Sequence, residues 1–342
     1  MLPPADYFVP KLLDVGRRVR TALIEARQSG AALAGISKTA SADTIYSIDT
    51  HVEPILIDFC DQWSRDIPLT LIAEGIDEQH HDTLTFPRGI PSENAAFRLL
   101  IDPIDGTRGI MYDKRPAWFL AGIAPNNLDN TRLSDIFVAA QVELPTSKQN
   151  ASDLLWAAKG KGANVLRETL NTTTGEVLSI TPLAPSPSKA TTLSHGFASI
   201  ANFFPGTKEL ASRLMEKIAQ HALPKDALTR GTIFDDQYIS TGGQLYEPIM
   251  GHDRFIADLR PLFYKIQNGQ KPPGLSAHPY DLATALIATE SGILLTNGKG
   301  QPLDGPLDTT TPLSFAAFAN PSLRTLIEPI MLKHLTAWLR HP

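Results

Sequence analysis

Apolar positions recur with helical spacing through residues 7–30, where Leu12, Leu13, Val19, Leu23 and Ile24 alternate with charged residues until Gly30. That spacing predicts an amphipathic helix. A second helix is predicted over 49–63, "DTHVEPILIDFCDQW", with Pro54 in its first turns, where a missing N–H costs little. "PLTLIAEG" reads as a buried strand ending at Glu74, and the apolar runs 97–101 and 117–124 predict two more. "DIFVAAQVEL" and "DLLWAAKGKGA" predict a hairpin pair, the second closing on a Lys-Gly-Lys-Gly turn. Residues 77–98 are polar and irregular, which predicts a long loop or small excursion.

Residues 171–190 are rich in Thr, Ser and Pro and predict a junction between two lobes, 1–185 and 186–342. Beyond it, "TTLSHGFAS" predicts a strand, "TKELASRLMEKIAQHA" an amphipathic helix and "GGQLYEPIMG" a shorter one. A further helix is predicted over 281–291, with Leu282, Ala285, Leu286 and Thr289 on one face. The strand "GILLTN" follows, and "PSLRTLIEPIMLKHLTAWL" predicts a closing helix against a sheet. Strands mixed with amphipathic helices predict stacked sheet and helix layers, an α/β class.

Composition narrows the function. The 342 residues are 42% hydrophobic and 20% charged, ordinary for a soluble enzyme of about two domain-sized units. Net charge is −5 with Lys and Arg scattered, so no basic face for nucleic acid is expected. Cys60 is the only cysteine, which excludes an intrachain disulfide; its place in the apolar pattern Ile55, Leu56, Phe59 predicts a buried structural thiol. There is neither a signal-like apolar core near the N-terminus nor an apolar run long enough to span a membrane, so a cytoplasmic location is expected.

The candidate chemistry lies in "IDPIDGT", residues 101–107, which puts Asp102 and Asp105 on either side of Pro103-Ile104 at the exit of a strand. Glu74 ends the preceding strand, Asp281 begins a helix, and Asp49 lies at another helix start. Any one of these, taken alone, reads first as a cap or turn residue. Five acidic groups at element ends, without matched lysines nearby, point to a hard cation such as Mg²⁺. Two ions sharing a carboxylate would clamp the attacking and leaving oxygens of a phosphate.

These motifs resemble the inositol monophosphatase family, within the superfamily of Mg²⁺-dependent, lithium-sensitive phosphatases. The resemblance rests on "DPIDGT" (102–107), on "PYDLATALIATESGILL" (279–295), on Lys38, Asp43, Asp49 and Glu53 in order, and on "WAAKGKGA". It implies an α/β/α/β/α sandwich hydrolysing a small phosphorylated metabolite, foremost an inositol or sugar phosphate. It also implies two or three Mg²⁺ per active site and a homodimer. By resemblance, Glu74 and the Ile104 carbonyl hold the first metal, Asp102 bridges, and Asp105 and Asp281 hold the second. Thr107 with Asp49 would orient and deprotonate water, while the Gly106 and Thr107 N–H groups would hold the phosphate.

The match is not complete. Gly75 stands where the family has a second glutamate, Tyr280 replaces a Trp, and Ser291 and Ile293 replace small residues. Asp258 is the loose counterpart of a residue contacting substrate hydroxyls, with Arg254 and Arg260 nearby; a surface ion-pair cluster is the alternative. Arg108, in "DGTRG", hints at a nucleotide or bisphosphate. His80 and His81 read as solvated loop residues. A 3′-phosphoadenosine-type nucleotide phosphatase and a non-catalytic ligand-binding relative are the alternative functions.

Overall fold

Helix α1 (Ala5–Gln28) lays Phe8, Leu12, Val15, Val19 and Leu23 into the core from one face, as its apolar spacing requires. The computed structural model describes residues 2–28, 36–39, 44–46, 52–76, 83–228, 230–269 and 275–340. A short hairpin, β1 (Ile36–Thr39) and β2 (Thr44–Tyr46), precedes α2 (Glu53–Trp63), which has Pro54 in its first turn.

The next eight strands are β3 (Leu69–Ala73), β4 (Thr83–Phe86), β5 (Phe97–Asp105), β6 (Ala117–Pro125), β7 (Val138–Leu144), β8 (Ala151–Ala158), β9 (Ala163–Leu170) and β10 (Val177–Leu183). They form one sheet in the order β10-β9-β8-β7-β6-β5-β3-β4, antiparallel except for the parallel pair β3–β5. Helix α3 (Thr107–Met111) sits between β5 and β6.

Two strands of this sheet lie where the sequence predicts connections. Within the irregular stretch 77–98, Leu84 and Phe86 alternate inward with Thr83 and Thr85 to make β4, a pattern four residues long among polar neighbours. In the Thr/Ser/Pro-rich run, β10 is exposed along almost its whole length, so no buried face marks it as a strand. Pro182 is tolerated there because β10 is an edge strand.

The second half comprises β11 (Gly196–Ile200), α4 (Lys208–Ala222), β12 (Ile233–Phe234), α5 (Thr241–Ile249), β13 (Asp253–Asp258), α6 (Arg260–Asn268), α7 (Ala285–Glu290), β14 (Leu294–Thr296), β15 (Phe315–Phe318) and α8 (Pro321–Arg340). Its sheet runs β12-β11-β13-β15-β14, with β11 parallel to both neighbours.

Alternation along β6 shows how the layers join. Phe119 and Ala121 face a cluster with Phe8, Val19 and Trp63 of α1 and α2. Trp118 and Leu120 face the other way, into a cluster continuing through Leu245 of α5 and Phe255 of β13 to Met331 of α8. The order is therefore helices, sheet, helices α5 and α7, sheet, helices α4 and α8: the α/β/α/β/α sandwich. Among the described residues no helix is long and apolar enough to cross a membrane.

One polar anchor fixes α1 to the sheet. Arg20, 1% exposed, donates to Ser152 Oγ at 2.7 Å and to Glu168 Oε2 at 2.6 Å, and Arg17 Nε donates to Glu168 Oε1 at 2.8 Å. Burial alone would raise the Glu168 pKa, but the two guanidiniums hold it below the usual glutamate value. Removing one partner of a buried pair leaves a charge without compensation. Arg20→Ala is therefore expected to cost about 3–5 kcal/mol, read as a lower urea midpoint. An unchanged midpoint would show that Arg17 alone compensates Glu168.

Candidate active site

Side chains three residues apart on a regular strand point to opposite faces, yet Asp102 and Asp105 meet. Their pairing with β6 runs from Asp102↔Leu120 to Asp105↔Trp118, three steps on one strand against two on the other. The extra residue is a β-bulge at Pro103-Ile104, which returns both carboxylates to the face of Leu120 and Trp118. Pro103 suits a bulge because it has no ladder N–H to lose. Asp102 Oδ1 accepts the Ile104 N–H at 3.0 Å, closing the bulge.

Gly106 then turns the chain in the left-handed region (φ 95°), and a Cβ there would stand 3.0 Å from Ser240 Cβ. The Thr107 hydroxyl donates to the Ile104 carbonyl at 2.7 Å. Asp105 is seated by the start of α5, accepting from Ser240 Oγ at 2.8 Å, Thr241 N at 3.1 Å and Gly242 N at 2.5 Å. Ser240 also caps α5 by accepting the Gly243 N–H at 2.9 Å. The glycine pair permits this docking: a Cβ on Gly242 would lie 2.5 Å from Leu120, and one on Gly243 would lie 2.4 Å from the Tyr238 ring.

Asp281 comes from the second half, on the tight turn Tyr280–Leu282, where its Oδ2 accepts the His278 N–H at 2.7 Å. The turn approaches β6 at Gly122, where a Cβ would lie 2.8 Å from the Ala283 carbonyl oxygen. Helix α7 follows and ends in Glu290, whose carboxylate accepts the N–H groups of Gly160 and Gly162, both at 2.7 Å. Those glycines belong to the Lys-Gly-Lys-Gly turn between β8 and β9.

The result is a concentration of buried negative charge. One carboxylate oxygen each from Asp102, Asp105 and Asp281 lie within 4.8 Å of one another. The parallel register Ala73↔Ile101 brings Glu74 alongside Asp102. Burial, then the charges of Asp105, Asp281 and Glu74, push the Asp102 pKa well above the usual carboxylate range. Asp105 is pushed up to about 7 by burial and by Asp281, against the hydrogen bonds from Ser240, Gly242 and Thr241. Oxygen-only donors that repel one another in low dielectric fit a hard divalent cation.

Of the sequence-derived candidates, Glu74, Asp102, Ile104, Asp105, Gly106, Thr107, Arg108 and Asp281 all line one cleft of about 280 Å³. Asp49, Asp43, His80 and His81 lie outside the described residues, as does the Lys38 side chain. Asp258 is 0% exposed and sits behind the cleft wall, bonded to Arg260, which does line the cleft. Their pair is thus a buried one rather than a surface cluster. Arg254 instead donates to the Thr192 and Ser194 carbonyls beside β11. Phe203, Phe204 and Ser240 line the cleft without a sequence signal beyond their position after β11 and before α5. Cys60 is 0% exposed and burial raises its thiol pKa, consistent with an inert structural role.

Two expectations follow for the metal-free protein. Because the folded pKa of Asp105 exceeds the ordinary 3.8, its contribution to stability is complete below about pH 4 and is lost as pH rises through about 7. Thermal unfolding should therefore show the metal-free fold weakening over that window, and an added divalent cation restoring stability at pH 7; a flat profile would contradict the crowding. Gly122→Val should push the Asp281 turn from β6 and weaken any divalent-cation binding by about tenfold or more in calorimetry, without loss of the fold. Unaltered affinity would show that the turn accommodates the bulk.

No known family model matches the sequence, and no curated protein matches it. Solved structures do match. The extragenic suppressor protein SuhB from Bartonella henselae is 13% identical with TM-score 0.61, covering 95% of this chain and 98% of its own. Leishmania major fructose-1,6-bisphosphatase is 15% identical with TM-score 0.64, covering 96% and 95%. Thermotoga maritima IMPase is 16% identical with TM-score 0.57, covering 98% of each. At such identities the likeness is one of architecture: the chain has the fold of the inositol monophosphatase superfamily.

Proposed function

We propose that this protein is a Mg²⁺-dependent phosphatase that hydrolyses a small phosphomonoester, in first place an inositol or sugar phosphate. The observation that carries the reading is the meeting of Asp102, Asp105 and Asp281 in one cleft with Glu74 and the Gly106-Thr107 turn. Phosphatases among the solved structures with this fold support it. Lobes 1–185 and 186–342 would divide the work, the first supplying Glu74, Asp102, Ile104 and Asp105 and the second Asp281.

Glu74, Asp102, Asp105, Asp281 and the Ile104 carbonyl would hold the ions. Bound there, Mg²⁺ would neutralise phosphate charge and activate water. The chain's own residues account for orientation. The Thr107 hydroxyl, which donates to the Ile104 carbonyl, would orient a water together with Asp49 as its proposed partner. The Gly106 and Thr107 N–H groups would take the phosphate oxygens at a turn that only a glycine adopts without strain. Asp105, fixed by three donors from α5, is held in place before any ligand arrives. Phosphoryl transfer asks mainly for such positioning and charge neutralisation.

The test is phosphate release from a panel of phosphorylated metabolites with Mg²⁺. Asp102→Asn should lower turnover by on the order of 100-fold or more and weaken Mg²⁺ binding. Near-normal turnover in that variant would overturn the metal assignment. A wild-type protein that binds phosphorylated ligands yet releases no phosphate would favour the non-catalytic relative.

A further inference from the structure

Gln141 is a fully buried amide set between apolar neighbours in the first sheet. It lies mid-strand in β7, directly opposite Leu120 of β6 and Leu155 of β8, and it is 0% exposed. Both leucines belong to the apolar cluster that runs on into the second sheet. The Gln141 Nε2 donates to the Gly242 carbonyl oxygen at 3.0 Å, while its Oε1 meets no donor among the described residues. A buried amide with an idle acceptor is costly, so stability alone does not account for it.

Gly242 is held by the sheet at both of its backbone groups. Its carbonyl takes the Gln141 amide from β7, and its N–H donates to Asp105 Oδ2, at the end of β5, at 2.5 Å. Gly242 is the second residue of α5, where an N–H has no acceptor within the helix, so the carboxylate is that group's partner. The start of α5 therefore bridges β5 and β7 across β6. Gln141 is the attachment on the side away from the acids. Tyr246, one turn further along α5, makes a separate attachment: its hydroxyl donates to Asp153 Oδ2 of β8 at 2.6 Å, and its ring packs on Trp118 with centroids 4.7 Å apart.

We infer that Gln141 is a positioning residue for the cleft: through Gly242 it fixes the start of α5, and with it the direction in which Asp105 presents its carboxylate to a cation. The cation rests on the phosphatase reading; the link from Gln141 to Asp105 does not. Three donors from one helix start aim Asp105 only as well as that start is itself held. The Ser240 cap moves with the helix and supplies no outside reference. The Gln141 bond does, because β5 and β7 belong to one sheet. The Tyr246 attachment lies beyond the turn that carries the donors.

The test separates aim from simple fastening. Gln141→Met keeps an unbranched side chain of similar length and removes the donor, with Gln141→Leu as the second variant should methionine pack poorly. Tyr246→Phe removes the other attachment. Three properties of the full chain are measured: melting temperature, calorimetric titration with Mg²⁺, and amide hydrogen exchange at Gly242 without metal. Gln141→Met should melt no lower than the wild type, since an idle buried acceptor is gone, yet bind Mg²⁺ about tenfold more weakly. Its Gly242 N–H should exchange at least about tenfold faster relative to the other α5 amides. Tyr246→Phe should melt lower while keeping Mg²⁺ affinity within about twofold, its α5 amides changing together. Unchanged Mg²⁺ affinity or unchanged Gly242 exchange in Gln141→Met would overturn the inference. Equal loss of affinity in the two variants would mark a general loosening of α5 and overturn it too. If the wild type binds no Mg²⁺, the phosphatase reading fails, and Gly242 exchange alone decides whether Gln141 aims Asp105.

Discussion

Three carboxylates within 4.8 Å of one another, mostly shut away from water, form an arrangement that a chain avoids unless its backbone enforces it. Here the enforcement is divided among elements remote in sequence. The bulge in β5 turns Asp102 and Asp105 to one side, the start of α5 grips Asp105, and the Tyr280–Leu282 turn delivers Asp281 against β6. None of these could relax alone without exposing apolar surface, because the faces of β6 and α5 that carry them are also core. The repulsion is held by packing.

That dependence explains the architecture around the site. A single apolar cluster crosses from the first sheet to the second, so the two sheets share one core. Gly122 and Gly242 serve the same end at two contacts: each omits a side chain where an element from the second half of the chain meets the first sheet. The opposite face of that sheet is stabilised separately, by α1 and the buried Arg20–Glu168 pair. Stability on the far side lets the near side hold strained charge.

Much of this was legible in the sequence, for reasons that differ by element. Helix α1 and the strands around β6 announce themselves because their periods run over many residues. The metal-type acids were visible because they end elements, and DPIDGT compresses bulge, turn and helix start into six letters. Strand β4 was hidden because it is short and set among polar neighbours, and β10 because it buries no face. The role of Asp258 could not be read either. A single residue separates it from Arg260, but only the end of β13 and the first turn of α6 decide that the guanidinium folds back over it. Likewise Phe203 and Phe204 look like loop aromatics until the fold sets them between two arginines.

The clasp between Glu290 and the β8–β9 turn has a mechanical meaning. Two backbone N–H groups, turned by left-handed glycines at 160 and 162, close on one carboxylate as though on a bound anion. The helix that ends in that carboxylate begins three residues after Leu282, which closes the turn carrying Asp281. A load on the exposed hairpin tip is therefore carried by one short rod to the turn that holds Asp281 in the cleft, and the tip becomes a surface handle on the site.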